Sequence, residues 1–100
     1  MSASDANKRS GRVIAIAVSA TSSQIVGAST QRVALVFSPP ESGSYTVSTE
    51  PSVSAGGGMV LVAGGAFLTI TRELHGDAVE KPWSAVASTG LSAGVIEVMA

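Results

Sequence analysis

Apolar residues alternate with small or polar residues through most of the chain, with the two-residue period of β-strands. Eight segments carry this pattern. In chain order they are RVIAIAV, SQIVGA, QRVALVF, SYTVST, MVLVA, FLTITREL, WSAVAS and GVIEVM. DAVEK is the nearest approach to a helix, and a segment of that length is not stable alone. The pattern therefore predicts an all-β domain.

Turn-forming segments separate these predicted strands. SPPESGS contains two prolines, which lack the N–H donor that a central strand needs, and the runs at 56–58 and 64–65 are glycine. Short strands with regular turns are typical of sandwiches and barrels. We predict a single small β-sandwich or jelly roll of about eight short antiparallel strands over residues 13–100, preceded by a flexible arm, residues 1–12.

The first strand is apolar on both faces. Ile14, Ile16 and Val18 share one face, and the opposite face carries smaller side chains where a sandwich normally presents polar ones. Charged residues make up only 13% of the chain, against a usual value of about 25%. A neutral surface suits contact with another subunit, although small apolar residues also occur on ordinary surfaces. The candidate interface residues are Val13, Ala15, Ala17, Tyr45 and Trp83.

Charge is distributed unevenly along the chain. Residues 1–12 contain Lys8, Arg9 and Arg12 against Asp5, a net charge of +2, whereas the remainder has a net charge of −3. The charge alone leaves two interpretations of Lys8, Arg9 and Arg12: a solvated tail, or an arm that becomes ordered on an acidic neighbour. The overall charge of −1 gives no indication of a nucleic-acid partner.

The segment NKRSGRVIAIAVSA has the order of a signal peptide, but its apolar run at 13–18 has only six residues and alternates large with small. No apolar run approaches the roughly 20 residues of a membrane-spanning helix, so no membrane partner is expected. The chain contains no cysteine, which excludes disulfides and thiolate metal sites within it.

The segment RELHGDAVEKPW, residues 72–83, holds the only histidine and several charges. One histidine without cysteine does not make a zinc site, and Asp77 with Glu80 lacks the spaced ladder of a calcium loop. His75 and Asp77 have no serine in a strained turn to activate. The glycine-rich run before Met59 leads into a strand and lacks the lysine of a phosphate-binding loop. We predict a strand connection, with no catalytic residue, metal or cofactor, in a protein that is not an enzyme.

The order of these motifs resembles the small β-sandwich virion proteins of tailed bacteriophages, of the head decoration, cement or head-fibre type. The resemblance rests on VIAIAVS, SQIVGAS, QRVALVFS, SYTVSTEPSVSAGGGMVLVAGGAFLTI, HG, PWSAVAS and GVIEV. It implies a decoration protein that binds the major capsid protein on the outside of a phage capsid and stabilises the shell. It also implies a homo-oligomer, commonly a trimer, located in the virion and assembled in the host cytoplasm. Under this resemblance, Lys8, Arg9 and Arg12 form the arm that docks on the capsid. The alternative is a receptor- or glycan-binding module of a head or tail fibre.

Overall fold

The computed structural model describes residues 10–100, and each of the eight predicted strands is present in it. The strands are β1 Ser10–Val18, β2 Ser23–Val26, β3 Arg32–Phe37, β4 Ser44–Ser48, β5 Met59–Val62, β6 Leu68–Thr71, β7 Trp83–Val86 and β8 Leu91–Met99. Between β6 and β7 lie a short helix, α1 Arg72–His75, and a 3₁₀ helix, Gly76–Glu80. Because β1 begins at Ser10, residues 10–12 belong to a strand, whereas residues 1–9 of the expected arm lie outside the described residues.

The strands form two four-stranded antiparallel sheets. Sheet A has the order β1-β8-β3-β6, and sheet B has the order β2-β7-β4-β5. The chain crosses from one sheet to the other at every connection except β4–β5, which is the strand order of a jelly roll. The all-β prediction is therefore confirmed, and the topology is the jelly-roll form of the sandwich.

The core lies between the two sheets. Its aromatic centre is the contact of Phe37 on β3 with Trp83 on β7, whose ring centroids are 5.4 Å apart at an interplanar angle of 52°. This tilted contact adds to the energy of burying the rings. Fully buried aliphatic residues from both sheets surround the pair, and they include Val18, Leu35, Val47, Ile70 and Val95.

The sixth strand is shorter than FLTITREL predicts, because β6 ends at Thr71 and the next residues form α1. Thr71 Oγ1 accepts a hydrogen bond from the Leu74 N–H at 3.2 Å, which caps the helix. Gly76 follows with φ of 61°, a value that favours glycine. The alternating pattern therefore overpredicts the length of this strand, because the Thr71 side chain caps a helix and stabilises a helical backbone in the residues that follow.

Part of the outer face of sheet B is covered by the chain itself, whereas Val60 and Val62 on β5 are each 49% exposed. The connection between β4 and β5, residues 49–58, lies against it: Val53 is buried and its N–H donates to Ser22 Oγ at 3.0 Å. The Gly56 N–H donates to Thr46 Oγ1, also at 3.0 Å. As a result Val86, although on the outer side of the sheet, is only 7% exposed.

Gly58 marks the closest approach of this connection to β4. A Cβ atom at Gly58 would lie 2.4 Å from the backbone oxygen of Val47, an atom that cannot move aside without disturbing the strand. We expect Gly58→Ala to lower the free energy of unfolding by about 1–3 kcal/mol, as other overpacking substitutions do. The matched control is Gly27→Ala, because a Cβ there meets only the Gln24 side chain at 3.9 Å. Equal urea midpoints for the two variants would contradict this packing.

Candidate functional site

The segment around His75 connects β6 to β7, as predicted. His75 Nδ1 accepts a hydrogen bond from the Thr71 N–H at 3.1 Å, and Glu80 forms an ion pair with Arg72 at 3.2 Å. Asp77 is exposed. These polar groups therefore stabilise the connection. Across residues 10–100, no three His, Asp or Glu side chains converge as a metal site would require.

A buried ion pair closes one end of the core. Arg32 at the start of β3 is 1% exposed, and Glu97 on β8 is 4% exposed. Arg32 Nε donates to Glu97 Oε2 at 2.9 Å, while Arg12 Nη2 on β1 donates to the other carboxylate oxygen at the same distance. One carboxylate thus joins β1, β3 and β8 at a single point.

The Arg32 guanidinium also reaches three backbone carbonyls. Its Nη1 donates to Val79 O at 2.9 Å and to Lys81 O at 3.2 Å, and its Nη2 donates to Gly27 O. Arginine suits this role because its donors point in several fixed directions. These bonds attach the connection after β2 and the connection before β7 to sheet A.

Two opposing effects act on the pKa of Glu97. Burial alone raises it, because the charged form loses its hydration. The hydrogen bonds and positive charges of Arg32 and Arg12 outweigh burial and lower the pKa below its usual value. Glu97 is therefore an ionised carboxylate inside the fold.

The sequence pattern missed this cluster. Strict alternation puts Arg32 on the same face as Ala34 and Val36, but the register of β3 against β8 shifts between Arg32 and Ala34 and turns Arg32 inward. One feature of the sequence could have indicated the cluster: Glu97 lies on the same, inward face of β8 as Val95. A carboxylate at a buried position needs a cation beside it.

Two residues expected at the interface lie in the core instead. Tyr45 is 1% exposed and Trp83 is 4% exposed. The Tyr45 hydroxyl donates to Ser38 O at 2.6 Å, and burial raises the Tyr45 pKa to about 12. The Trp83 indole N–H donates to Ala78 O at 3.0 Å, so it points at the chain and not at solvent. Apolar rings whose polar group finds an internal partner are stable in a core.

The other three interface residues lie on the outer face of sheet A. Val13 is 75% exposed, and Ala15 and Ala17 are exposed beside it on β1. Of the arm residues, Arg12 lies in β1 with its side chain 73% exposed, and Lys8 and Arg9 lie outside the described residues.

The strand register arranges the outer face of sheet A in rows that cross all four strands. The first row contains Gly11, Val98, Ala34 and Thr71; the second contains Val13, Ile96, Val36 and Thr69. In the third row, Ala15 is opposite Gly94, and the Gly94 N–H donates to Ser38 Oγ at 2.8 Å. None of these positions carries a charge, so the face is neutral across the sheet.

A groove of about 720 Å³ lies where this face meets α1. It is lined by residues of sheet A and by three residues of α1, of which Leu74 is 80% exposed. The lining residues are Val33, Ala34, Thr71, Val98, Arg72, Glu73 and Leu74. Leu74 is the most exposed large apolar side chain of residues 10–100. Sheet A therefore differs from sheet B, since no segment within the described part of the chain lies over its outer face.

Comparison with known proteins supports the fold. No family model matches the chain, and no curated protein matches it. A solved structure of Bacillus endospore appendages, described as a novel family of disulfide-linked pili, is similar over 90% of this chain and 82% of that one. The TM-score is 0.56 at 12% sequence identity, so the likeness is one of fold. The small β-sandwich is confirmed, whereas these comparisons give no support to a bacteriophage family.

Within residues 10–100, no helix has the length and hydropathy needed to cross a membrane.

We expect Arg32→Met to lower the free energy of unfolding by about 3–5 kcal/mol, because it leaves the buried Glu97 carboxylate with only its exposed partner. Arg12→Met removes the other cation, but the Arg12 side chain is 73% exposed, so its loss should cost less than about 1 kcal/mol. Chemical unfolding of the two variants measures the difference. Similar losses would show that Arg32 is not the principal partner.

The lowered pKa of Glu97 sets the direction of a pH effect. A carboxylate whose pKa is lower in the folded state than in the unfolded state stabilises the fold at pH values above the unfolded pKa, which is near 4.5. This contribution is lost as the pH falls through the folded pKa. We expect the stability difference between the wild type and Glu97→Gln to be constant near neutral pH and to shrink below about pH 4.5. A difference that grows under acidic conditions would contradict the assignment.

Proposed function

We propose that this protein is a structural subunit of an ordered assembly and acts by binding other subunits, without catalysis. The observation that carries the proposal is the outer face of sheet A. None of its outward-facing strand positions carries a charge, from Gly11 on β1 across the sheet to Thr71 on β6. Monomeric proteins rarely expose apolar patches larger than a few hundred square ångströms. An uncharged, largely apolar sheet face of this extent marks a surface for contact with a neighbour.

The fold likeness supports an assembling role, because the similar Bacillus structure belongs to a pilus. The mode of linkage must differ, since that pilus is disulfide-linked and these 100 residues contain no cysteine. Subunits of this chain would associate through buried surface and hydrogen bonds. The polymerising subunit is therefore our first candidate.

Capsid decoration is the second candidate, and the jelly-roll strand order favours it because this topology recurs in viral capsid domains. In that case the neutral face would bind the major capsid protein or neighbouring copies in a trimer on the virion surface. Arg12, with Lys8 and Arg9, would contribute positive charge at the edge of the contact.

A glycan-binding module is less well supported. Sugar sites stack sugars on exposed rings, and Tyr45 and Trp83 are both buried. Of the four aromatic residues, all within residues 10–100, Phe67 alone is exposed. One ring beside a short loop does not form a stacking platform.

We expect the purified protein to have a concentration-dependent mass above that of one chain, and Val13→Glu to shift its association to at least about tenfold higher concentration. Burying an unpaired carboxylate costs several kcal/mol, and 1.4 kcal/mol corresponds to a factor of ten. Light scattering and negative-stain electron microscopy measure this change. The matched control is Val60→Glu, because Val60 is 49% exposed on β5 of the other sheet.

Association that persists in Val13→Glu but is lost in Val60→Glu would exclude the outer face of sheet A. A single-chain mass at every concentration would exclude a homopolymer; binding to phage shells that lack their decoration protein would then support the second candidate.

A further inference from the structure

We propose that two copies of this chain pack with the outer faces of their A sheets together, around a two-fold axis parallel to the strands between β8 and β3. The proposal rests on the proposed function and names the partner of the same face: a second copy of this chain. It follows from the shape of the face, its lack of charge and its size.

The two edges of sheet A differ in the size of the side chains that project from the outer face. At the β6 edge, Phe67 is 59% exposed and Leu74 is 80% exposed. Phe67 directly precedes β6, and continuing the alternation of Thr71 and Thr69 by one more step assigns its side chain to the outer face, in the third row. Leu74 stands beside the first row, in the groove over Ala34 and Val98. The β6 edge therefore protrudes.

The β1 edge carries small residues in the same two rows, the first and the third. Gly11 occupies the first row and Ala15 the third, and both are exposed. The only large side chain of this edge, Val13, lies in the second row, opposite the position of the smaller Thr69. Each protrusion of the β6 edge thus has a depression in the same row of the β1 edge.

A two-fold axis parallel to the strands places the β6 edge of one copy over the β1 edge of the other and keeps each row in register. Leu74 then faces Gly11, and Phe67 faces Ala15. In the centre, Ile96 faces Val36 of the second copy. Sheets commonly pack in this way, with strand directions within about 30° of each other.

The other aligned two-fold arrangement, with its axis perpendicular to the strands, does not fit. It would place Phe67 over Leu74 at one edge, and Ala15 over Gly11 at the other. The large side chains would then hold the sheets apart, and the small ones would leave a gap. Loss of contact across such a gap is unfavourable.

Charge and area agree with a second copy as the partner. The strand positions of the face carry no charge, and the groove beside them is lined by one cation and one anion, Arg72 and Glu73, so the surface offers a charged partner no net opposite charge. It would desolvate that partner's charges with little compensation. β1 and β8 each have nine residues. β3 has six residues and β6 has four, so at about 3.3 Å per residue and 4.8 Å per strand the four strands cover about 440 Å². Two such faces bury about 900 Å², to which Phe67 and Leu74 beside the strands add, so the contact is close to the roughly 1,000 Å² expected of a biological interface.

The absence of cysteine from the chain permits a direct test. Phe67→Cys and Ala15→Cys are prepared separately, one with a mass tag, and then mixed and treated with a short reagent that joins two thiols. Facing Cβ atoms of sheets packed about 10 Å apart lie roughly 7 Å from each other, beyond the about 4.5 Å of a disulfide, so a short cross-linker and not direct oxidation reports the arrangement of the two faces. We expect a shift from single-chain to two-chain mass with the mixed cross-link as the main product, and loss of this product when Val13→Glu is added to both chains.

A second pair, Ile96→Cys with Val36→Cys, tests the centre of the interface and should also give the mixed cross-link. The matched control is Val60→Cys mixed with Ala15→Cys, which should remain at single-chain mass. Thermal unfolding of each variant shows whether its fold is intact, and the exposure of Phe67 and Ala15 favours this.

The outcomes separate the inference from the function on which it rests. If the protein associates and Val13→Glu prevents association, but neither pair cross-links, the two-fold arrangement is wrong and the assembling role stands. If Phe67→Cys cross-links mainly with itself, the axis is wrong. If the wild-type protein remains a single chain at every concentration, both the inference and the homopolymer are wrong.

Discussion

The buried pair of Arg32 and Glu97 is the interaction on which the geometry of the sandwich depends. An ionised carboxylate in a core is stable only with a cation and donors around it. Arg32 supplies these and also binds the carbonyls of Gly27, Val79 and Lys81. The pair therefore holds β3 and β8 in register and attaches two connections to sheet A. The rows of the outer face exist because this register is maintained.

The outer faces of the two sheets differ in how far the chain itself covers them. Residues 49–58 cover part of sheet B, bury Val53 and leave Val86 almost inaccessible to solvent, and the exposed apolar residues Val60 and Val62 are confined to its β5 edge. Sheet A exposes Val13 and Leu74. A small domain has little chain with which to cover both faces, so one of them is available to a neighbour. This asymmetry connects the fold to an assembling role.

A fold shared with a pilus protein does not determine how subunits are joined. The Bacillus appendages are disulfide-linked, and the present chain has no cysteine. Its cohesion must come from many individually weak contacts. In the proposed pair, packing of Phe67 against Ala15 would supply shape complementarity, which raises specificity without covalent bonds. An assembly of this kind would respond to concentration.

The sequence by itself determined the all-β class, the eight strands and the outward position of Val13, because the two-residue period of a strand is local information. Three other features depended on tertiary structure. Tyr45 and Trp83 became buried because their polar groups found internal acceptors. Arg32 turned inward because a register shift, decided by the neighbouring strand, brought it to Glu97. The outer face of sheet A is exposed to solvent because residues 49–58 lie over sheet B instead. Each outcome arises from contacts between distant residues, which alternation along the chain does not encode.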